Sequence, residues 1–196
     1  MADCAVFASG NGSNFEALAE RIAGTCHRIA CLVCDNPRAF AIERARRLSV
    51  PVITADYGSG SREEAEEAIL RKMQPCAPDL IVLAGFMRIL TPRFLASFPN
   101  RVVNIHPTLL PKHPGTRGIE ESYASRDREL GITIHFVDSG VDSGPIIFQR
   151  SFTRTGTEPL DEIERRIHAL EHQHYPIVVL TLLNRIQEEV SAQSLL

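Results

Sequence analysis

Short apolar runs alternate along this chain with segments in which apolar side chains recur every three or four residues. The runs at 4–8, 28–34, 51–54 and 79–84 are too short for helices and read as strands. Residues 80–84 are wholly apolar, the pattern of a parallel strand covered on both faces. Between these runs, Phe15, Leu18 and Ile22 have helical spacing, and a helix over 39–48 buries Ala41, Ile42, Ala45 and Leu48. Ser61 and Glu64 form a capping box for a helix over 62–74, and Thr91-Pro92 opens a short helix with proline at its first position. Further strands are expected at 101–106, 132–137 and 145–152, the last antiparallel to its predecessor, with a helix over 119–126. A long helix over 160–190 follows, and Pro176 should kink or restart it. Strands alternating with helices imply right-handed βαβ units. The expected class is α/β and Rossmann-like: a mostly parallel twisted sheet flanked by helices, with an antiparallel C-terminal part and a long C-terminal helix.

The length of 196 residues suits a single domain over 1–196, built from two merged halves, 1–100 and 101–196. A net charge of −3 supplies no basic surface for nucleic acid. No apolar run approaches the ~20 residues of a membrane helix, and the chain enters a strand at once without a signal-peptide pattern. A cytoplasmic protein is expected. The sequence does not set the oligomeric state, a homodimer included. Five cysteines without an export signal argue against a disulfide framework. Cys31 and Cys34 have redox-pair spacing but lie within a strand, so buried free thiols are the better reading.

The candidate chemistry gathers at strand ends. Ser9-Gly10-Asn11-Gly12-Ser13-Asn14 joins a strand to a helix, an arrangement that turns backbone N–H groups and a helix dipole toward an anion. It lacks the Walker Gly-Lys-Ser/Thr and the third glycine of a dinucleotide fingerprint, so a monophosphate fits better. Gly85-Phe86-Met87-Arg88-Ile89-Leu90 follows another strand; its apolar members belong to the core or line a slot for a flat ring. In Asn104-Ile105-His106-Pro107, strand alternation sends the amide and the imidazole to one face, and Pro107 tends to end the strand. Asp142, in a glycine-rich loop, supplies an acid. The connection 111–118 has the composition of an active-site cover. His135 faces the site or serves the structure. His168 and His172, four apart on a helix, have metal-ligand spacing, but without further ligands a solvated helix face is favoured.

Taken in order, Ser9-Gly10-Asn11-Gly12-Ser13-Asn14-Phe15, Leu83-Ala84-Gly85-Phe86-Met87-Arg88-Ile89-Leu90, Asn104-Ile105-His106-Pro107-Thr108-Leu109-Leu110-Pro111 and Asp142-Ser143-Gly144-Pro145 resemble the folate-dependent formyltransferases. The resemblance covers roughly residues 3–180. The opening loop with Asn14, and Glu171-His172 before Tyr175-Pro176, are similar to the phosphoribosylglycinamide formyltransferase branch. The resemblance implies the formyltransferase fold and transfer of a formyl group from 10-formyltetrahydrofolate to the amine of glycinamide ribonucleotide in purine biosynthesis. It implies catalytic roles for Asn104, His106 and Asp142. It gives the ribonucleotide to Gly10, Asn11, Gly12, Ser13, Asn14 and Glu171. It gives the folate to Arg62, Met87, Arg88, Ile89, Leu90, Asp138 and Asp142. The first half then binds phosphate and the second carries catalysis and folate.

Amine attack on a formyl carbon makes a tetrahedral species whose oxygen needs preorganised donors, and losing one costs ~3–4 kcal/mol. Asn104 and a protonated His106 are such donors, a neighbouring carboxylate favours imidazolium, and Asp142 can move protons through a water. No metal is required. Thr116-Arg117-Gly118-Ile119-Glu120-Glu121-Ser122-Tyr123 departs from the usual His-containing segment, and Gly140-Val141 is similar to relatives that formylate methionyl-tRNA or amino-sugars. The alternatives are a methionyl-tRNA formyltransferase or a formyltetrahydrofolate hydrolase, each expected to carry a further domain, and a non-catalytic phosphate-ligand-binding module.

Overall fold

The computed structural model describes residues 1–193. Its elements follow in the order β1 (Asp3–Ala8), α1 (Ser13–Ile22), β2 (Arg28–Cys34), α2 (Phe40–Arg47), β3 (Val52–Thr54), α3 (Arg62–Met73), β4 (Leu80–Leu83), α4 (Pro92–Ala96), β5 (Val102–His106), α5 (Gly118–Ala124), β6 (Glu129–Phe136), β7 (Ile146–Thr153) and α6 (Leu160–Gln193). The strands make one sheet, ordered β3-β2-β1-β4-β5-β6-β7. Pairings from β3 to β5 are parallel, and β6 and β7 are added antiparallel. The chain lays β2 and β3 on one side of β1 and then returns to start β4 on the other. The order of strands reverses between β1 and β4, and ligands bind outside the carboxyl ends of strands at such a switch point.

Alternation along the strands builds two core layers. Cys4, Val6 and Ala8 of β1 pack with Phe15, Leu18, Tyr175 and Val179 from α1 and α6. Ala5 and Phe7 face Ile69, Met73 and Phe94 from α3 and α4. The same alternation puts Cys34 in the first layer and Cys31 in the second, so the two thiols of that spacing point apart. All five cysteines are free.

Four sequence expectations need correction. Leu48 is 37% exposed, because α2 ends at Arg47 and the chain turns through a left-handed Ser49. The helix expected to reach 126 stops at Ala124, where Arg126 adopts φ 62°. Strand β6 begins at Glu129, not 132; Leu130 and Gly131 pair with Phe152 and Ser151. Pro176 does not interrupt α6, which runs on as one helix. The proline withholds one intrahelical donor, but buried Tyr175 and Val179 hold the helix against the sheet on either side. Among the described residues no helix is long and apolar enough to cross a membrane.

Candidate active site

A cavity of about 450 Å³ opens at the carboxyl ends of β1, β4 and β5, within the ~300–1,000 Å³ usual for small-molecule sites. Gly10, Asn11, Gly12, Ser13 and Asn14 line one part of it, residues 83–90 another, and Asn104, His106, His135 and Asp142 meet within it. Gly12 has φ 76°, the left-handed conformation that turns the chain from β1 into α1. Arg44 of α2 fixes this loop, donating from Nε to the Asn11 carbonyl at 3.0 Å and from Nη2 to Asn11 Oδ1 at 2.9 Å. At the same end, Glu171 of α6 is 4% exposed and accepts from Asn14 Nδ2 at 3.0 Å. His168 Nδ1 lies 2.9 Å from the same carboxylate oxygen. That hydrogen bond is the chief reason the His168 imidazole sits above its ordinary pKa, while burial chiefly pushes His172 below it.

Strand pairing assembles the other end. Antiparallel register sets Asn104 opposite His135, and His106 opposite Thr133. A Phe136 carbonyl 2.8 Å from His135 Nδ1 turns Nε2 toward Asn104 Nδ2 at 3.3 Å and Asp142 Oδ1 at 3.6 Å. The Asn104 amide also donates to Asp142 Oδ1 at 3.4 Å. His106 Nδ1 is 3.3 Å from Asp142 Oδ2, and its Nε2 is 2.8 Å from the His113 carbonyl. Both ring nitrogens of His106 therefore face acceptors, and only an imidazolium can donate to both. Burial pushes the Asp142 carboxyl up. His135, the Gly115 N–H and His106 together outweigh that and hold it below the ordinary carboxylate range.

The folate candidates are distributed unevenly. Met87 and Ile89 are 59% and 53% exposed although apolar, and both line the cavity; Leu90 is buried. Met87 N donates to Ser9 Oγ at 2.9 Å, which ties this segment to the loop after β1. Arg88 lines the cavity but spends its Nε on half-buried Asp35 at 2.6 Å, and its guanidinium lies over the Tyr57 ring. Asp138 lines the cavity and accepts from Ser143 Oγ at 2.7 Å. Arg62 lies outside the lining, 3.4 Å from the Ile89 carbonyl. The connection 111–118 meets the site at two points: Gly115 N donates to Asp142 Oδ2 at 2.8 Å, and the His113 carbonyl lies 2.8 Å from His106 Nε2.

The sequence matches the formyl transferase family model over residues 2–179. The chain belongs to the formyl transferase family. A Bacillus subtilis (strain 168) phosphoribosylglycinamide formyltransferase is 41% identical over 186 residues, covering 93% of this chain and 95% of that protein. An Escherichia coli (strain K12) protein of the same name is 37% identical over 180 residues, covering 89% and 84%. The crystal structure of phosphoribosylglycinamide formyltransferase from Streptococcus pneumoniae TIGR4 matches with a TM-score of 0.87 at 39% identity, covering 93% of this chain and 99% of that one. In this formyl transferase, the contacts the sequence did not show include Arg44 with Asn11, His168 with Glu171, and the Gly115 N–H with Asp142. The His168–Glu171 spacing of three on one helix was a readable signal; the others join distant segments.

Proposed function

We propose that this chain transfers the formyl group of 10-formyltetrahydrofolate to the amine of glycinamide ribonucleotide in purine biosynthesis. The observation that carries this reading is a convergence. Asn104, His106, His135 and Asp142 meet at one end of a cavity whose other end is a glycine-rich loop at a helix start, with Glu171 beside it. Residues of 1–100 supply the phosphate loop, whose N–H groups and helix dipole suit the ribonucleotide's phosphate. Residues of 101–196 supply the reacting groups and Glu171, whose buried carboxylate suits the cationic or hydrogen-bonding glycinamide end. The folate fits the residues present: Met87, Ile89 and Val141 stay exposed on the cavity wall, an apolar surface for a flat ring. When bound, the folate supplies an activated formyl carbon.

His106 keeps Nε2 on the His113 carbonyl and redirects its Nδ1 donor from Asp142 to the formyl oxygen as that oxygen gains charge. Asn104 moves a hydrogen bond from Asp142 to that oxygen. Asp142, kept ionised, accepts through a water the proton the attacking amine loses, and passes it toward the folate nitrogen. Both substrates are small metabolites, in keeping with a cytoplasmic setting. The test is formyl transfer assayed separately with glycinamide ribonucleotide, water and charged tRNA as acceptors. Transfer to the ribonucleotide, well above the other two, is expected. Equal or greater transfer to water or tRNA would overturn the reading.

A further inference from the structure

We propose that Asp127, acting through the imidazole of His113, positions His106 for the transfer step; this rests on the functional reading above. Neither Asp127 nor His113 lines the cavity. His113 nevertheless touches His106 directly, since its carbonyl lies 2.8 Å from His106 Nε2. That carbonyl is aimed by an unfavourable backbone: His113 has φ 52°, a left-handed conformation rarely adopted by residues with a Cβ. Something must hold it, and the side chain does. His113 Nε2 lies 3.1 Å from Asp127 Oδ2, at the turn after α5. Lys112 Nζ is 3.4 Å from the same oxygen. The Asp127 carboxyl is held below the ordinary range, with the His113 hydrogen bond the chief cause.

Residue 113 therefore works at both ends. Its ring is tethered to Asp127, and its carbonyl fixes one ring nitrogen of His106 while the other faces Asp142. Thr108 Oγ1 steadies the same turn, donating to the Lys112 carbonyl at 2.8 Å and the His113 carbonyl at 3.3 Å. Without the carbonyl contact the buried His106 ring keeps only its Asp142 contact at Nδ1, and the orientation from which it is offered to the reacting group is no longer fixed from both sides. Asp127 is thus a positioning residue that touches neither substrate.

The test is a cycle of Asp127→Ala, His113→Gly and the double variant, with Asp127→Asn alongside. Glycine keeps the left-handed backbone but loses the ring, and Asn keeps an acceptor of the same reach. Single-turnover transfer should fall about fivefold in Asp127→Ala, the equivalent of one net hydrogen bond, with KM for both substrates within about twofold. Asp127→Asn should recover most of the rate, and the double variant should be no slower than the slower single one. An unchanged rate in Asp127→Ala, equal losses in Asn and Ala, a loss confined to KM, or additive losses in the double variant would overturn the proposal. The His106 Nε2 proton gives a second readout, by exchange-sensitive NMR without substrates, and it should exchange faster in Asp127→Ala. If the unsubstituted chain transfers no formyl group while that change is still seen, the functional reading fails and the positioning contact stands. If transfer is robust and neither rate nor exchange responds, only the positioning proposal fails.

Discussion

Gly10 and Gly12 sit two residues apart in the loop after β1, and a side chain at each would meet a different fate. At Gly12 a Cβ would come within 2.6 Å of the Ala41 Cβ and 2.8 Å of its Cα, in a left-handed backbone besides. Gly12→Val therefore breaks the packing of α1 on α2 before it reports on any ligand. At Gly10 a Cβ meets nothing within 4 Å, and the backbone is not left-handed. Gly10→Ala should keep the urea midpoint and weaken ribonucleotide binding on the order of tenfold, about 1.4 kcal/mol, with folate binding unchanged by calorimetry. Equal weakening of both ligands would remove the phosphate from this loop. Asp142 carries the chemistry prediction. Its φ of 50° suits asparagine at least as well as aspartate, so Asp142→Asn should fold normally. The variant lacks the charge and the proton acceptor, and the single-turnover step should slow by ~10²-fold or more. Near-native turnover would take Asp142 out of the mechanism. At this scale the sequence showed residue types and strand faces. The collision at Gly12 was hidden, because it depends on how closely two helices approach.

His168, Glu171 and Asn14 join α6 to α1, and this junction should respond to pH. The His168 pKa lies above its ordinary 6.5 in the folded chain, so the folded state binds the proton more tightly than the unfolded one. Its contribution to stability is full below about pH 6.5 and is lost as pH rises through the folded value. The urea-midpoint difference between the unsubstituted chain and His168→Ala should therefore be present near pH 6 and vanish near pH 9. A difference that persists or grows at high pH would contradict the ion-pair account. Helix α6 was legible from its apolar spacing, but its continuity through Pro176 was not. A proline's missing donor is a local fact, and the packing that overrides it is not. Strand β6 gives the complementary case. Gly131 looks like a strand breaker, yet it sits where a Cβ would lie 2.0 Å from the Arg150 carbonyl, and its bare backbone is what lets β7 pair there. The His113–Asp127 contact, between a loop and a turn fourteen residues on, has no periodic signature at all.

Across the whole molecule, one buried hydroxyl registers the long C-terminal helix against the sheet. Tyr175 is fully buried, and its hydroxyl lies 2.8 Å from the Leu83 carbonyl and 3.2 Å from the Val103 carbonyl. Leu83 ends β4 just ahead of residues 85–90, and Val103 immediately precedes Asn104 in β5. Glu171 lies four residues earlier on the same helix, about one turn away. Burial raises the Tyr175 pKa well above 10.0, so the hydroxyl remains a neutral donor at any working pH. A single proton thus serves two strands and fixes where α6 presents Glu171 to the cavity. Tyr175→Phe keeps the ring's packing and removes only that donor from the carbonyls of two buried residues. The expected cost is about 1–3 kcal/mol, read as a lower urea midpoint with an unchanged slope. The loss should be the same near pH 6 and near pH 9, unlike that of His168→Ala, because the phenol does not titrate between them. Ribonucleotide KM should rise while folate KM holds, since the released helix carries Glu171 and the residues 87–90 remain tied to Ser9 and Asp35. A Tyr175→Phe variant with native stability would show that the strands, and not this hydroxyl, set the helix in place.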